Sequence, residues 1–317
     1  MFFRLAFHME IGEIFDKRYE LVRRLGGGGY SEVWLAMDIR TDVEVALKVF
    51  APSSDFDKDG LDMFAREFAL VADMNDPNIL KPMYFESERK PYLVLQYCKQ
   101  GSLKGHEGKI KEEEAWKIIH DVANGLKALH THTPNPIIHQ DIKPENILIA
   151  DDNHYMITDF GVSVHLLSTI RRTIQKTMSI EFAEAGTWAY MAPERMGKGR
   201  FTPIMPSDIW SLGAMMFELL VGEVPFGEKG GMAQKSGYEI PELPGDYSED
   251  LKKLVERCLA EKPSNRPFAE EIVTIADSHL KGNRPLPTPS RNKNNNVRTW
   301  IITVAVGIIL GILLALI

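Results

Sequence analysis

Residues 139–146 read His139-Gln140-Asp141-Ile142-Lys143-Pro144-Glu145-Asn146 and place a carboxylate, an ammonium group and an amide close together. An apolar run at 147–149 follows directly and predicts a short buried strand. A second run at 155–158 predicts another strand, which leads into Asp159-Phe160-Gly161. Two strands at hairpin spacing therefore separate one set of polar side chains from the next.

The side chains of this region suit the transfer of a phosphoryl group from a nucleotide. Asp141 can accept a proton from a hydroxyl group, and Lys143 can neutralise charge on the moving phosphoryl group. Asn146 and Asp159 carry oxygen ligands for Mg²⁺. An isolated His-x-Asp is better interpreted as a polar loop with ordinary turn chemistry. The complete string followed by Asp-Phe-Gly favours phosphoryl transfer.

The composition is that of a globular protein. Hydrophobic residues make up 44% of the chain and charged residues 26%, and the net charge of −7 gives no basic bias, so nucleic acid is not an expected partner. Cys98 and Cys258 form no disulfide framework or zinc cluster, and we interpret them as buried thiols in a reducing compartment. Residues 1–8 are apolar but too short for a signal peptide. We treat residues 1–18 as an N-terminal extension, in which Met9 is an alternative start.

A glycine-rich turn is predicted between two strands near the start of the chain. A strand at 19–25 precedes Gly26-Gly27-Gly28-Gly29-Tyr30-Ser31, and a second strand follows through residues 34–36. Such a loop lets backbone amides approach phosphates closely. A plain flexible turn is the alternative interpretation of four consecutive glycines.

A lysine and a glutamate downstream can form a pair. Lys48 ends the strand-like run Val45-Ala46-Leu47-Lys48, and Glu67 lies in the middle of an amphipathic helix predicted at 61–74. By position alone each would be interpreted as a surface charge. A further strand is predicted at 92–98, before a turn at 101–103 that could link two lobes.

The second half of the chain is mainly helical in pattern. Helices are predicted at 111–130, 208–220, 251–259 and 268–280, and the second is apolar nearly all round, which is typical of a buried helix. A long Ser- and Thr-rich segment lies between Asp159 and Glu194, and loops of that length are usually functional. We interpret His139 as a structural residue of its loop. His106, His130 and His132 have no metal-ligand partners at useful spacing and are interpreted as surface residues.

Together these strings resemble the eukaryotic-type (Hanks-type) serine/threonine protein kinases, including the bacterial, membrane-anchored members. The resemblance covers residues 19–280, with the motifs in the family's order and spacing. It implies a bilobal α+β protein kinase fold, with a small lobe of antiparallel β-sheet plus one helix and a larger, mainly helical lobe. It also implies transfer of the γ-phosphoryl group of ATP to Ser or Thr of protein substrates, with Mg²⁺, or alternatively Mn²⁺, bridging the phosphates.

The resemblance also implies roles for individual residues. Asp141 matches the catalytic base and Lys143 the lysine that touches the γ-phosphate, while Asn146 and Asp159 match the metal ligands. The residues that match the ATP-binding positions are Leu25, Gly26, Gly27, Gly28, Gly29, Tyr30, Ser31, Val33, Ala46, Lys48, Glu67, Gln96, Cys98 and Leu148.

Within that set, Lys48 resembles the lysine that holds the α- and β-phosphates, and Glu67 its helix partner. Val33, Ala46 and Leu148 correspond to the apolar slot for adenine.

Four further residues match structural positions of the family. Leu95 resembles the gatekeeper of the slot. Glu194 and Arg266 resemble a structural ion pair, and Asp208 the residue that braces the catalytic loop.

Three positions depart from the family's pattern. Ser31 replaces the third glycine, Asp76 stands where many members have histidine, and Gln140 replaces the arginine that usually precedes the catalytic aspartate. A neutral amide cannot form a charge-assisted pair with a phosphorylated residue. We therefore predict that activation does not depend on that phosphate clamp. The alternative function is a membrane-tethered pseudokinase that binds nucleotide or partners, although no chemical group is lost.

The end of the chain predicts a membrane anchor. Residues 281–299 are Pro- and Asn-rich and are interpreted as a flexible linker. Residues 300–317 are apolar and uncharged, and we predict a single-pass transmembrane helix that keeps the kinase domain on the cytoplasmic side. Gly307 and Gly311 form a G-x-x-x-G pair, so a homodimer through this helix is an open alternative.

Overall fold

The computed structural model describes residues 9–27, 31–51, 58–87, 90–151, 154–160, 164–165, 187–196 and 203–281. The predictions made for Gly28, Gly29, Tyr30, most of the Ser- and Thr-rich segment and the tail from residue 282 lie outside these residues.

The helix predicted at 300–317 to cross a membrane is among the parts that are not described. In the described parts of the chain, no helix combines the length and apolar composition that crossing a bilayer requires.

The first part of the chain forms a six-stranded antiparallel sheet with the order β1-β2-β3-β4-β6-β5. Its strands are Ile14–Phe15 (β1), Tyr19–Gly27 (β2), Ser31–Asp38 (β3), Val43–Phe50 (β4), Tyr84–Glu86 (β5) and Tyr92–Gln96 (β6). The strand β5 was not predicted from the sequence, and an isolated bridge joins Ile79 to Ile157 of the second part of the chain. A single lobe therefore holds the two strands that flank the predicted glycine turn and the strand that carries Lys48.

Side-chain alternation along β4 separates the core of this lobe from the face that carries the site. Val45, Leu47 and Val49 belong to the core of the sheet. Ala46 and Lys48 lie on the opposite face because successive side chains of a strand point to opposite sides. In register, Ala46 faces Leu95 across the sheet, while Lys48 faces Val33 on the other neighbouring strand.

One helix, Lys58–Val71 (α1), packs against the sheet through aromatic side chains. The rings of Phe64 and Phe50 lie 5.7 Å apart, and those of Phe68 and Phe85 stack at 5.2 Å. Glu67 lies between Phe64 and Phe68 in the sequence, and its side chain is buried. The helix begins and ends three residues earlier than the predicted 61–74, and its packing directs Glu67 inward rather than to solvent.

The second part of the chain is a helical lobe with its own hydrophobic core. Its helices are Glu112–His130 (α2), Met205–Val221 (α3), Gly231–Lys235 (α4), Glu249–Cys258 (α5) and Ala269–Leu280 (α6). As predicted, α3 is buried on nearly every side, and it ends at Gly222, whose φ of 99° is a left-handed conformation that suits glycine. Three glutamates in the first turn of α2 complement the positive end of its helix dipole.

Short strand pairs bring the two polar segments of the site together. Ile137–Ile138 (β7) pairs with Val164–His165 (β10), and Ile147–Ile149 (β8) pairs with Tyr155–Ile157 (β9). The antiparallel register of the second pair sets the start of β8 beside the end of β9. Thr158 accordingly donates its backbone N–H to the carbonyl of Asn146 at 2.9 Å.

Candidate active site

Lys48 and Glu67 form a buried ion pair at the base of the small lobe. Lys48 Nζ lies 2.7 Å from both carboxylate oxygens of Glu67 and 3.2 Å from Oδ1 of Asp159. The side chains of Lys48 and Glu67 are 13% and 8% exposed, which rules out the interpretation of both as surface charges. The predicted contact is present, and Asp159 of the large lobe joins it.

Both carboxylates of this trio stabilise the positive charge of Lys48. Burial alone would lower the pKa of Lys48, but the carboxylates of Asp159 and Glu67 overcome that effect and raise it, so the lysine stays protonated. Burial raises the pKa of Glu67, and the charge of Lys48 opposes that rise. The result is a fixed cation within reach of an anionic ligand that enters the cleft.

Asp141 is held by two donors from its own loop. Its Oδ2 lies 2.9 Å from Nζ of Lys143 and accepts a hydrogen bond of 2.9 Å from Nδ2 of Asn146. Oδ1 of Asp141 is buried and has no hydrogen-bond partner among the described residues. A buried acceptor without a partner is uncommon in folded proteins, so this carboxylate is a candidate functional group.

Lys143 is largely buried beside this carboxylate. Burial would lower its pKa, but the negative charge of Asp141 more than compensates and raises it. The ammonium group is therefore charged where a transferred phosphoryl group would need a counter-charge.

Asp208 holds the backbone of the loop that carries Asp141, as predicted. Its carboxylate accepts the backbone N–H groups of His139 at 2.9 Å and Gln140 at 2.8 Å, and it contacts Nε2 of His130 at 2.9 Å. Burial would raise the pKa of Asp208, but the hydrogen bond with His130 and the neighbouring charges lower it. The loop is thus anchored to α3 by a carboxylate that stays ionised.

The prediction that His130 is a surface residue is wrong. Its side chain is only 7% exposed because it packs against Asp208, which comes from a helix 78 residues further along the chain. His139, in contrast, is structural as predicted. Its Nε2 lies 3.1 Å from the Thr158 carbonyl, and its ring meets Phe160 edge to face at 5.1 Å.

Two residues of the site have left-handed backbones although neither is glycine. The φ angles of Gln140 and Asp159 are 71° and 65°. Such conformations cost about 1–3 kcal/mol each and persist only where the surrounding structure fixes them. These conformations set the directions of the carboxylates of Asp141 and Asp159. Gln140 acts on the first because it immediately precedes Asp141, and Asp159 carries the second itself.

Arg195, which had no predicted role, contacts the backbone of this loop. Its Nη1 donates to the backbone carbonyl of Gln140, and the residue is buried. The signal in the sequence is indirect: a cation follows Glu194 in a chain that lacks the usual cation at position 140.

The predicted ion pair between Glu194 and Arg266 is also present. The two nitrogens Nη1 and Nη2 of Arg266 lie 2.6 and 2.8 Å from the two carboxylate oxygens of Glu194, and the arginine side chain is fully buried. Burial would raise the pKa of Glu194, but Arg266 lowers it. This pair fixes the short helical turn Pro193–Arg195 and with it the position of Arg195.

An apolar cluster joins the two lobes at the residues predicted for the adenine slot. Val33, Ala46 and Leu95 of the sheet cluster with Leu148 and Met156 of the β8–β9 hairpin. Cys98 is part of the same cluster, and burial raises the pKa of its thiol. The predicted slot residues therefore come together, with Leu95 at the position predicted for the gatekeeper.

The other described residues predicted to contact the nucleotide are not part of this cluster. Gln96 ends β6 with its side chain exposed, and Leu25 is 36% exposed on β2. A side chain at Gly27 would meet the carbonyl of Ser31 at 2.8 Å, so the close approach of β2 and β3 requires glycine there. Gly26 has open space around it.

The oxygen ligands at the cleft fit an Mg²⁺ ion that binds to the protein and to the phosphates of a nucleotide at the same time. Asn146 and Asp159 supply an amide oxygen and a carboxylate, and both N–H groups of the amide are committed to Asp141. No cluster of three or more His, Cys, Asp or Glu that could hold a metal exists within the described parts of the chain. Mg²⁺ commonly takes one or two protein ligands and completes its shell with substrate phosphates and water.

Comparison with known proteins agrees with this geometry. A family model described as "Protein kinase domain" matches residues 19–276. The chain is 32% identical over 267 residues to the serine/threonine-protein kinase PrkC of Bacillus subtilis and 32% identical over 262 residues to an Aurora kinase of Schizosaccharomyces pombe. It is also 32% identical over 339 aligned positions to the serine/threonine-protein kinase PknB of Mycolicibacterium smegmatis.

These alignments cover most of the chain but different shares of the relatives. They take in 82%, 80% and 91% of this chain for PrkC, the Aurora kinase and PknB, respectively. The corresponding shares of those proteins are 39%, 70% and 52%.

Proposed function

Because the chain belongs to the protein kinase family, we propose that it transfers the γ-phosphoryl group of ATP to Ser or Thr hydroxyls of proteins. The observation that carries the proposal is the convergence of Lys48, Glu67 and Asp159 with Asp141, Lys143 and Asn146 around one cleft. The printed names of PrkC and PknB, both serine/threonine-protein kinases, support the choice of acceptor.

In this proposal the apolar slot binds the adenine base, and Lys48 binds the phosphates. Glu67 keeps the ammonium group of Lys48 in place, since the two side chains are bonded through both carboxylate oxygens. A lysine that is already fixed and charged costs no reorganisation when the phosphates arrive. Binding and orientation of the nucleotide are therefore the work of the small lobe.

The large lobe supplies the proton acceptor and the counter-charge. Asp141 accepts the proton of the substrate hydroxyl, while Lys143 neutralises charge on the transferred group. Asn146 and Asp159 would hold Mg²⁺, or Mn²⁺, which supplies further charge neutralisation at the phosphates. Positioning and electrostatic stabilisation thus account for the catalysis.

The direct test is an assay of radiolabelled γ-phosphate transfer by the full chain, with Mg²⁺ and a generic basic protein. We expect label on Ser and Thr, none after chelation of the metal, and no loss of rate after pretreatment with phosphatase. The last expectation follows from Gln140 and stays a prediction, since residues 166–186 are outside the described parts. Nucleotide binding without transfer would contradict the proposal and favour the pseudokinase.

We further propose that the protein is a bacterial-type kinase tethered to the cytoplasmic face of a membrane by residues 300–317. The support is the sequence alone: an uncharged apolar run of 18 residues after a polar linker that contains Arg and Lys.

Flotation with phospholipid vesicles tests the tether. The full chain is expected to float with the vesicles, and a chain that ends at Lys281 is expected to stay in the soluble fraction. The tether is refuted if both chains behave alike.

A further inference from the structure

Gln140 has a backbone that is held from two sides by opposite charges. Its N–H donates to Oδ1 of Asp208 at 2.8 Å, and its carbonyl accepts from Nη1 of Arg195. The same residue has the left-handed φ of 71°. A conformation of this kind needs outside support, and the two charged groups provide it.

Arg195 is well placed to provide that support permanently. The residue is 8% exposed, and an arginine side chain cannot lose its proton in a protein. It is the last residue of the turn Pro193–Arg195, which Glu194 attaches to the large lobe through Arg266. The guanidinium is therefore anchored independently of the catalytic loop on which it acts.

The charges around Arg195 also connect it with the proposed base. Burial lowers the pKa of Arg195, while the negative charges of Asp208, Asp141 and Glu194 act in the opposite direction. The guanidinium bonds to the carbonyl of Gln140, which directly precedes Asp141, so it is connected to the base through one peptide unit.

We propose that Arg195 is a positioning residue that fixes the direction of Asp141 by holding the carbonyl of Gln140, and so supplies from position 195 the cation that the chain lacks at position 140. The inference rests on the proposed kinase function. It assigns the loop an internal, permanent guanidinium contact, which requires no phosphorylated residue.

The test compares Arg195→Met and Arg195→Lys in the full chain, with Arg257→Met as a matched control. Arg257 forms a partly exposed ion pair with Glu271 at 2.7 Å. We expect Arg195→Met to lower kcat by about 10- to 100-fold, the cost of a misdirected catalytic group. The KM for ATP should stay within about twofold of wild type because the nucleotide contacts are untouched. Arg195→Lys should recover part of kcat, and Arg257→Met should match wild type.

Rates are measured well below the melting temperature of each variant, so that loss of folded protein does not enter kcat. A wild-type kcat in Arg195→Met, or a rise in KM for ATP that accounts for the whole loss, overturns the inference. If Arg195→Met does not fold, the uncharged variant Arg195→Gln decides: lowered kcat at unchanged KM supports the inference, and wild-type kcat overturns it. Absence of transfer by wild type itself would refute the proposed function and the inference together, whereas an active wild type with unaffected Arg195 variants refutes the inference alone.

Discussion

An Asp141→Asn variant is expected to transfer phosphate about 10²- to 10⁴-fold more slowly than wild type, the contribution typical of a general base. The amide has the size of the carboxylate, and its oxygen can still accept from Lys143 and Asn146, which both contact Oδ2 in the native loop. What the variant loses is an atom that can take up the proton of a hydroxyl group. Radiolabelled phosphate transfer, measured beside nucleotide affinity and melting temperature, separates these effects.

The expected pattern is loss of rate with nucleotide affinity and melting temperature close to wild type. Asp62→Asn, on the exposed surface of α1, is the matched control and should transfer at the wild-type rate. Transfer by Asp141→Asn at a rate near wild type would show that the proton goes elsewhere.

A Lys48→Met variant is expected to lose both activity and stability. Removal of the cation leaves Glu67 as a buried carboxylate without its partner, and breaking a buried pair in this way costs about 3–5 kcal/mol in the free energy of unfolding. Loss of a fixed charge at the phosphates should lower the rate by a further, separate effect of about 10²- to 10³-fold. Urea unfolding and phosphate transfer measure the two losses.

The double variant Lys48→Met/Glu67→Gln separates these losses. It removes the buried charge, so we expect it to recover most of the stability and none of the activity. Burial already raises the pKa of Glu67 beside Lys48, and loss of the lysine raises it further. Since a carboxyl group whose pKa is higher in the folded state binds its proton preferentially there, the stability defect of the single variant should shrink as the pH falls.

Lys117→Met is the control for this pair. Its partner Glu113 lies one turn away on α2, and both side chains are more than half exposed, so the change should cost no more than about 0.5 kcal/mol. Recovery of activity in the double variant would show that Lys48 serves stability alone.

The sequence predicted those parts of the site that local pattern determines. Alternation along β4 places Ala46 and Lys48 on one face, and hairpin spacing brings Asn146 beside Asp159. Asp141, Lys143 and Asn146 lie within one short loop, so their proximity needs no knowledge of the rest of the fold.

The parts that sequence reasoning missed depend on contacts between distant segments. His130 looks like the exposed end of a helix, and only the approach of Asp208 from α3 explains its burial. Arg195 looks like one more charged residue, and its partner is a backbone carbonyl that no side-chain pattern can reveal. Glu67 is an intermediate example. The family's motifs predicted its pairing with Lys48, but its position in the middle of a helix alone predicted a surface charge.

The apolar slot has a thermodynamic consequence for the whole domain. Its residues form one apolar cluster, with Ala46 and Leu95 from the sheet and Leu148 and Met156 from the β8–β9 hairpin. A base bound there would be part of the interior of both lobes, and its binding energy would strengthen their cohesion. Occupancy of the slot would in this way add to the cohesion of the two lobes.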